Sequence, residues 1–414
     1  MDDQRERATM SGPMAGVKVV ELGIWVAGPA TGGILADWGA DVVKIEPPSG
    51  DPARLFQKIL GGDLPTNPPF ELDNRSKRSI ALDLASVEGL GVALELISEA
   101  DVFVTNLRIG ALDRLGLDAD SICERFPRLV YCHITGYGRE GDDADRPAYD
   151  VGAFWSRSGI AHLLTEPGGN PPFQRGGMGD HSTGISGAAA VSAALFDRER
   201  TGEGQLVSTS LLRQGVYTIG FDVNTLLMWG TPMRLGTRTT IGNPCINNYT
   251  AGCGSRFWIV GLDGDRHWPP LARVVGHPEW MDDERFVTVR ERAINSAELI
   301  ALLDEVFATR TMAEWEEAFA EEADFFWSPV NDLDDLLADP AFQTSGAMVE
   351  VPDGSSSTLM VATPVDFAGT PWEARSTAPE VGEHTREVLA DLGRSEAEIE
   401  ALLAGGGATE GGSD

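Results

Sequence analysis

The sequence predicts an α/β protein with a large domain on a doubly wound, mainly parallel sheet and a smaller α+β domain after it. Three observations carry this expectation. Residues 17–22 and 41–46 read as buried strands flanking a helical run, 30–38, that stops at Gly39; together they form a strand–helix–strand unit. Strand-like and helical patterns keep alternating up to residue 135. From about residue 240 the pattern changes to a hairpin and amphipathic helices.

Length and composition limit the function. At 414 residues and 42% hydrophobic content, the chain supports two or three domains with sizeable cores. It has no apolar run of the ~18–20 residues a membrane helix needs, and residues 1–10 lack the apolar core of a secretion signal, so a cytoplasmic protein is expected. Cysteines 123, 132, 245 and 253 include no C-x-x-C pair and read as free thiols. The six histidines form no ligand cluster, so no metal is expected. A formal charge of −32 repels nucleic acid and anionic membranes, which leaves small molecules as the expected ligands. An anionic ligand would need a local cluster of cations.

Taken in order, residues 1–13 are polar and read as a flexible N-terminus. The first strand–helix–strand unit carries glycines at 28, 32 and 33, which do not make G-x-G-x-x-G, so a nicotinamide dehydrogenase is disfavoured. A Gly/Pro-rich loop, 49–69, leads to Asn74-Arg75-Ser76-Lys77-Arg78, the clearest basic patch, just ahead of a strand at 79–84. A helix at 87–99 and a strand at 102–106 follow, then a loop with Arg108 and Arg114. A helix at 119–126 and a strand at 129–135 end in Gly136-Tyr137-Gly138. Loops at strand carboxyl ends are where α/β sheets bind ligands. Residues 139–146 read as an exposed acidic loop, and Tyr149-Asp150 opens an apolar helix.

Next comes Gly176-Gly-Met-Gly-Asp180-His-Ser-Thr-Gly184. Its glycines permit a tight turn, and Asp180 with Ser182 and Thr183 is helix-start chemistry. The helix dipole there favours an ionised Asp180. Such a carboxylate either caps its helix or, facing a cleft, acts as a nucleophile. The small residues that follow permit close helix packing. A strand at 206–211, a helix at 214–228, a hairpin at 249–261 turning near Gly252 and Gly254, and helices at 266–276, 297–308 and 312–322 come next. Strand-like pieces at 347–351 and 359–362 precede a last helix, 386–403. The expected organisation is a large domain, 14–229, a small α+β domain, 230–350, a return segment with a C-terminal helix packing on the large domain, 351–404, and a flexible tail, 405–414.

Several segments in this order resemble the family III CoA-transferases, which include formyl-CoA transferases and are related to α-methylacyl-CoA racemases. They are residues 13–22, Ala27-Gly-Pro29, 35–47, Asn74 with Lys77-Arg-Ser79, Asn106, 110–116, Thr135-Gly-Tyr-Gly138, Gly179-Asp180 and Gly382-Glu-His-Thr385. The resemblance implies an interlocked homodimer whose chains each have a large Rossmann-like domain and a small domain, with the active site between domains. It implies that Asp180 is the nucleophile and that CoA is surrounded by Trp25, Val26, Ala27, Asn74, Arg75, Lys77, Asn106, Leu107, Arg108, Arg114, Thr135, Gly136, Tyr137 and Gly138. This chain departs from some members at Pro47 and Thr135, where they carry basic residues.

The implied activity moves CoA from an acyl-CoA to a carboxylic acid through an aspartyl anhydride and an aspartyl-CoA thioester on Asp180. It requires no metal or redox cofactor, and CoA travels as part of the substrate. Backbone N–H groups near 136–138 or at the start of the Asp180 helix are candidate oxyanion donors. The alternatives are a racemase-like epimerase on the same scaffold and a non-catalytic CoA-binding protein. Racemase relatives carry Gly-His-Asp where this chain reads Ala148-Tyr149-Asp150, and a tyrosine titrating near pH ~10 is a poor base at neutrality. In the small domain Trp258, Trp268, Phe325, Phe326 and Trp327 are compatible with acyl groups of widely different size.

Overall fold

The computed structural model describes residues 10–59, 61, 66–233 and 236–411. They form two compact units, one running to Phe221 and resuming at Thr344, the other Asp222–Gln343. In the first unit β1 (Lys18–Leu22), β2 (Asp41–Glu46), β3 (Arg78–Leu82), β4 (Val102–Thr105), β5 (Val130–Thr135) and β6 (Leu206–Ser210) make one parallel sheet in the order β3-β2-β1-β4-β5-β6. In the second unit β7 (Ile246–Thr250), β8 (Arg256–Val260) and β9 (Trp327–Pro329) form an antiparallel sheet. β10 (Met348–Asp353) and β11 (Ser356–Val361) pair as a hairpin.

The period-two pattern of the strands explains how the first unit packs. Val19, Val42, Val102 and Val130 face one core, covered by the helices Ala27–Asp37 and Met178–Thr201. Their neighbours Val20, Val43, Phe103 and Tyr131 face the other, covered by Val87–Glu99, Ala119–Arg125, Thr385–Asp391 and Glu396–Ala404. Helices on both faces bury the sheet twice, and so its strands read as near-continuous apolar runs. The small residues after Asp180 let two helices touch: a methyl group at Gly184 would lie 2.8 Å from Ala30 Cβ.

The C-terminal end departs from expectation. The predicted single helix at 386–403 is two helices separated at Gly393 (φ +80°), and Ser395 restarts the second through a capping box with Glu398. The predicted tail is ordered from 405 to 411. Its Ala408–Thr409 forms β12, antiparallel to β3 at the sheet edge, held also by Thr385 Oγ1 donating to the Thr409 carbonyl. Residues 412–414, like residues 1–9 of the predicted flexible N-terminus, lie outside the described residues. Part of the predicted 49–69 loop is helical, since Asn67 caps the helix Pro68–Asn74. The 214–228 helix is likewise two, Leu211–Thr218 and Gly220–Trp229. Trp268 is buried in the core of the second unit, whereas Trp258 and Phe326 are exposed.

The predicted basic patch is not a surface feature. The Lys77 ammonium is fully buried, bonded to Glu21 Oε2 (2.7 Å), the Pro29 carbonyl (2.9 Å) and Asn74 Oδ1 (3.0 Å). Lys44, the cross-strand neighbour of Glu21, is buried beside it and reaches Glu21 Oε1 (2.9 Å), the Gly23 carbonyl (3.0 Å) and Asp51 Oδ2 (2.9 Å). Each ammonium thus places its three protons on three oxygens. Arg75 is buried against Asp37 and donates to the Val361 carbonyl, and Arg78 pairs with Asp41, Glu387 and Asp391. Burial alone would raise the Glu21 pKa, but the two lysines more than reverse this and hold it below the usual range. Gly32 completes the arrangement, since a Cβ there would sit 2.0 Å from Glu21 Oε2.

Removing one member of such a cluster strands charges that cannot reach water. Glu21→Ala is expected to lower stability by ~3–5 kcal/mol, read as a fall in the urea midpoint, with Glu21→Gln intermediate. An unchanged midpoint in Glu21→Ala would show that the cluster does not hold the sheet together.

Candidate active site

In the sheet order the chain reverses direction of winding between β1 and β4, and α/β sheets bind ligands outside the carboxyl ends of strands at such a point. A cleft of about 380 Å³ lies there. Trp25 to Ala27 after β1, Asn106 to Arg108 after β4, Thr135 and Gly136 at the end of β5, and Tyr149, Asp150 and Asp180 line it.

The buried cluster shapes this cleft. Asp51, fixed by Lys44, accepts the backbone N–H of Trp25 at 3.0 Å and holds that residue at φ 64°, a conformation costly for a bulky side chain. Asn106 clamps the preceding residue, accepting from Ile24 N (2.9 Å) and donating to Ile24 O (2.7 Å). Both ends of its amide are therefore used in building the wall. The Trp25 ring meets the edge of Tyr149, with centroids 5.8 Å apart, and Tyr149 is 62% exposed at the cleft.

Asp180 lies in the first turn of Met178–Thr201 and is only partly exposed. It does not cap the helix: Gly177 holds the N-cap position, and among the described residues no hydrogen bond to the Asp180 carboxylate is found. Nor does the helix terminus keep it acidic. Burial, and then the nearby Asp150 carboxylate, push its pKa from 3.8 up to about 7, against a smaller opposing pull from His181. Asp150 accepts from Gln174 Nε2 (2.7 Å) and Gly179 N (3.0 Å), and Gly179 must lack a side chain because a Cβ would lie 2.1 Å from Asp150 Oδ1. His181 bonds through Nε2 to Asp73 Oδ1 at 3.0 Å.

Apart from Arg108, the remaining predicted residues fall elsewhere. Asn74, Arg75 and Lys77 are buried in the interior pairs described above and do not line the cleft. Arg108 is exposed at its rim, and no ion pair to it is found among the described residues; Arg114, also exposed, lies at the end of the helix Ile109–Leu115. Tyr137 and Gly138 lie just past the cleft, and the Gly138 N–H is occupied by Thr135 Oγ1 at 3.0 Å. With Gly179 N also taken, two candidate oxyanion donors are already in use. Asp73 and Gln174 also belong to the site, although neither lies in a segment whose sequence pattern marks it.

Asp180 thus presents an uncapped carboxylate at the switch-point cleft. The profile of CoA-transferase family III matches residues 14–385, and the chain belongs to that family. It is accordingly an enzyme of the CoA-transferase class. It is 33% identical to the (R)-2-hydroxy-4-methylpentanoate CoA-transferase of Clostridioides difficile, covering 93% of this chain and 97% of that one. It is 32% identical to the cinnamoyl-CoA:phenyllactate CoA-transferase of Clostridium sporogenes, over 94% and 95% of the two chains. The crystal structure of a CaiB/BaiF family protein from Brucella suis superposes with a TM-score of 0.79 at 32% identity, covering 92% of this chain and all of that one.

An Asp180 pKa near 7 has a consequence for stability. Unfolded, the group ionises near pH ~3.9. Between that value and 7 only the unfolded state is charged, so the native state loses stability as pH rises through this window and no more above it. Asp180→Asn should therefore match the wild type near pH 4 and exceed it by ~1–3 kcal/mol at pH 8 in urea titrations. A pH-independent difference would contradict the raised pKa.

Proposed function

We propose that this protein transfers CoA between carboxylic acids through covalent intermediates on Asp180, within a Rossmann-like domain of an interlocked homodimer. The observation that carries the reading is the Asp180 carboxylate, partly dry and free of capping duty, at the cleft of the switch point. A carboxylate Oδ of Asp180 attacks the thioester carbonyl of the donor, the C–S bond breaks, and an acyl-aspartyl anhydride and CoA thiolate result. The thiolate then attacks the Asp180 carbonyl, expelling the donor acid as carboxylate and leaving an aspartyl-CoA thioester. The acceptor carboxylate displaces CoA from that thioester to form a second anhydride, and thiolate attack on the acceptor's carbonyl yields the new acyl-CoA and frees Asp180. Water is the competing nucleophile at both anhydrides, and a partly closed cleft limits its access.

Arg108 is proposed as a phosphate contact of CoA, with Arg114 beyond it. Arg108 is exposed at the cleft and Arg114 is exposed at the far end of the helix that follows it, in contrast to the buried Arg75 and Lys77. Two observations favour transfer over isomerisation: the cleft presents Tyr149 where a racemase would need a base, and His181 is engaged with Asp73. The homodimer is supported by the helix Gly220–Trp229, none of whose residues is buried, with Leu227, Met228 and Trp229 each at least 75% exposed. A face of this kind fits a second copy of the chain.

Incubation with a donor thioester of the acids named for the relatives should place an acyl or CoA adduct on the wild type by intact mass. Asp180→Ala should bind CoA, form no adduct and transfer nothing; substantial residual turnover would refute the mechanism. Arg108→Ala should weaken CoA binding about tenfold in calorimetric titration, as expected for a charge-assisted contact of ~1.5–3 kcal/mol. Unchanged affinity would leave Arg108 as surface charge.

A further inference from the structure

The glycine-rich turn before Asp180 makes room for two side chains. Gly179 clears Asp150. Gly177, at φ +78°, clears His181: a Cβ there would lie 2.9 Å from the imidazole Cε1. The ring is thereby folded back over the start of its own helix, and its Nε2 meets Asp73 Oδ1. Asp73 comes from the end of a separate helix, Pro68–Asn74, and its side chain is only 5% exposed.

We propose that His181, anchored by Asp73, is a positioning residue whose imidazolium charge keeps the neighbouring Asp180 in the carboxylate form that attacks the thioester. The proposal rests on the transferase reading given above. The charges around Asp180 show the need. Asp150 acts on it from just before the helical segment Val151–Ser156, Asp73 stands behind His181, and beyond Asp73 lie Glu21 and Lys77 of the buried cluster. Among the groups that act on Asp180, three are carboxyl or imidazole side chains, and His181 alone favours its ionised form. Burial tends to discharge the imidazole, but the bond to Asp73 and then the Asp73, Asp180 and Asp150 charges outweigh it, so its pKa lies above the ordinary value. Burial raises the Asp73 pKa, and the hydrogen bond and positive charge of His181 oppose that rise.

Two measurements on the intact protein test this. In the first, the His181 Cε1–H resonance is titrated by NMR. Asp73→Asn should lower its midpoint by about one unit or more, as loss of an adjacent opposite charge requires, and an unmoved midpoint would overturn the anchoring. In the second, the pH dependence of kcat/KM for the donor thioester is compared with that of His181→Gln. The acid limb should move up by about one unit, so that the variant is ~10-fold slower at pH 6 and recovers most of the rate by pH 9. A loss equal at all pH values, or an unshifted limb, would overturn the electrostatic role. If the wild type formed no adduct and transferred no CoA, the transferase reading would fail and this role with it. The NMR titration would still report whether the pair exists, which separates the two failures.

Discussion

Two ammonium groups, Lys44 and Lys77, lie in the interior of the first unit, and the Glu21 carboxylate binds one with each oxygen. Burying such groups costs several kcal/mol apiece unless every proton and lone pair is matched, so this cluster tolerates very few geometries. It ties β1 to β2 and to the approach of β3, and it requires Gly32 to lack a side chain. The constraint reaches outward through Asp51, which Lys44 holds and which in turn holds Trp25 in a strained conformation at the cleft. The wall of the ligand site is thus anchored in the charge pairing of the core.

A second constraint arises within the same cleft, where the chain brings Asp150 and Asp180 close together. Two carboxylates near each other in a partly dry site resist joint ionisation. Burial, and then the Asp150 carboxylate held in place by Gln174 and Gly179 N, raise the pKa of Asp180. A carboxyl poised near neutrality is more basic than an ordinary aspartate and so a better nucleophile once ionised. The cost is carried by the folded state.

Most of the α/β architecture was legible in the sequence because strands buried on both faces leave long apolar runs, and helices of small residues leave an equally plain trace. The Asp180 turn was legible for the same reason: glycines are required where other side chains would collide. What sequence could not reveal was the partner of each charge. Arg75, Lys77 and Arg78 stand together in the chain as a basic patch, but their carboxylates come from residues 21, 37, 41, 387 and 391, which no local pattern connects to them. The same holds for Asp73, whose meaning depends on a histidine 108 residues away. For Asp180 the local pattern predicts a charged form favoured by a helix terminus, because Asp150 and the extent of burial are properties of the folded chain alone. The C-terminal run of glycines gives no hint in sequence that a two-residue strand closes the sheet edge.

The central claim is that Asp180 itself exchanges oxygen with the acids. In the proposed sequence the acceptor's attacking oxygen becomes the bridge of the second anhydride and stays on Asp180 when thiolate takes the acyl group. Turnover with an acceptor acid labelled with oxygen-18 in its carboxylate, followed by mass analysis of the peptide containing Asp180, reads this directly. The account predicts a heavy oxygen on Asp180; a donor acid that gains the label while Asp180 remains unlabelled would contradict it.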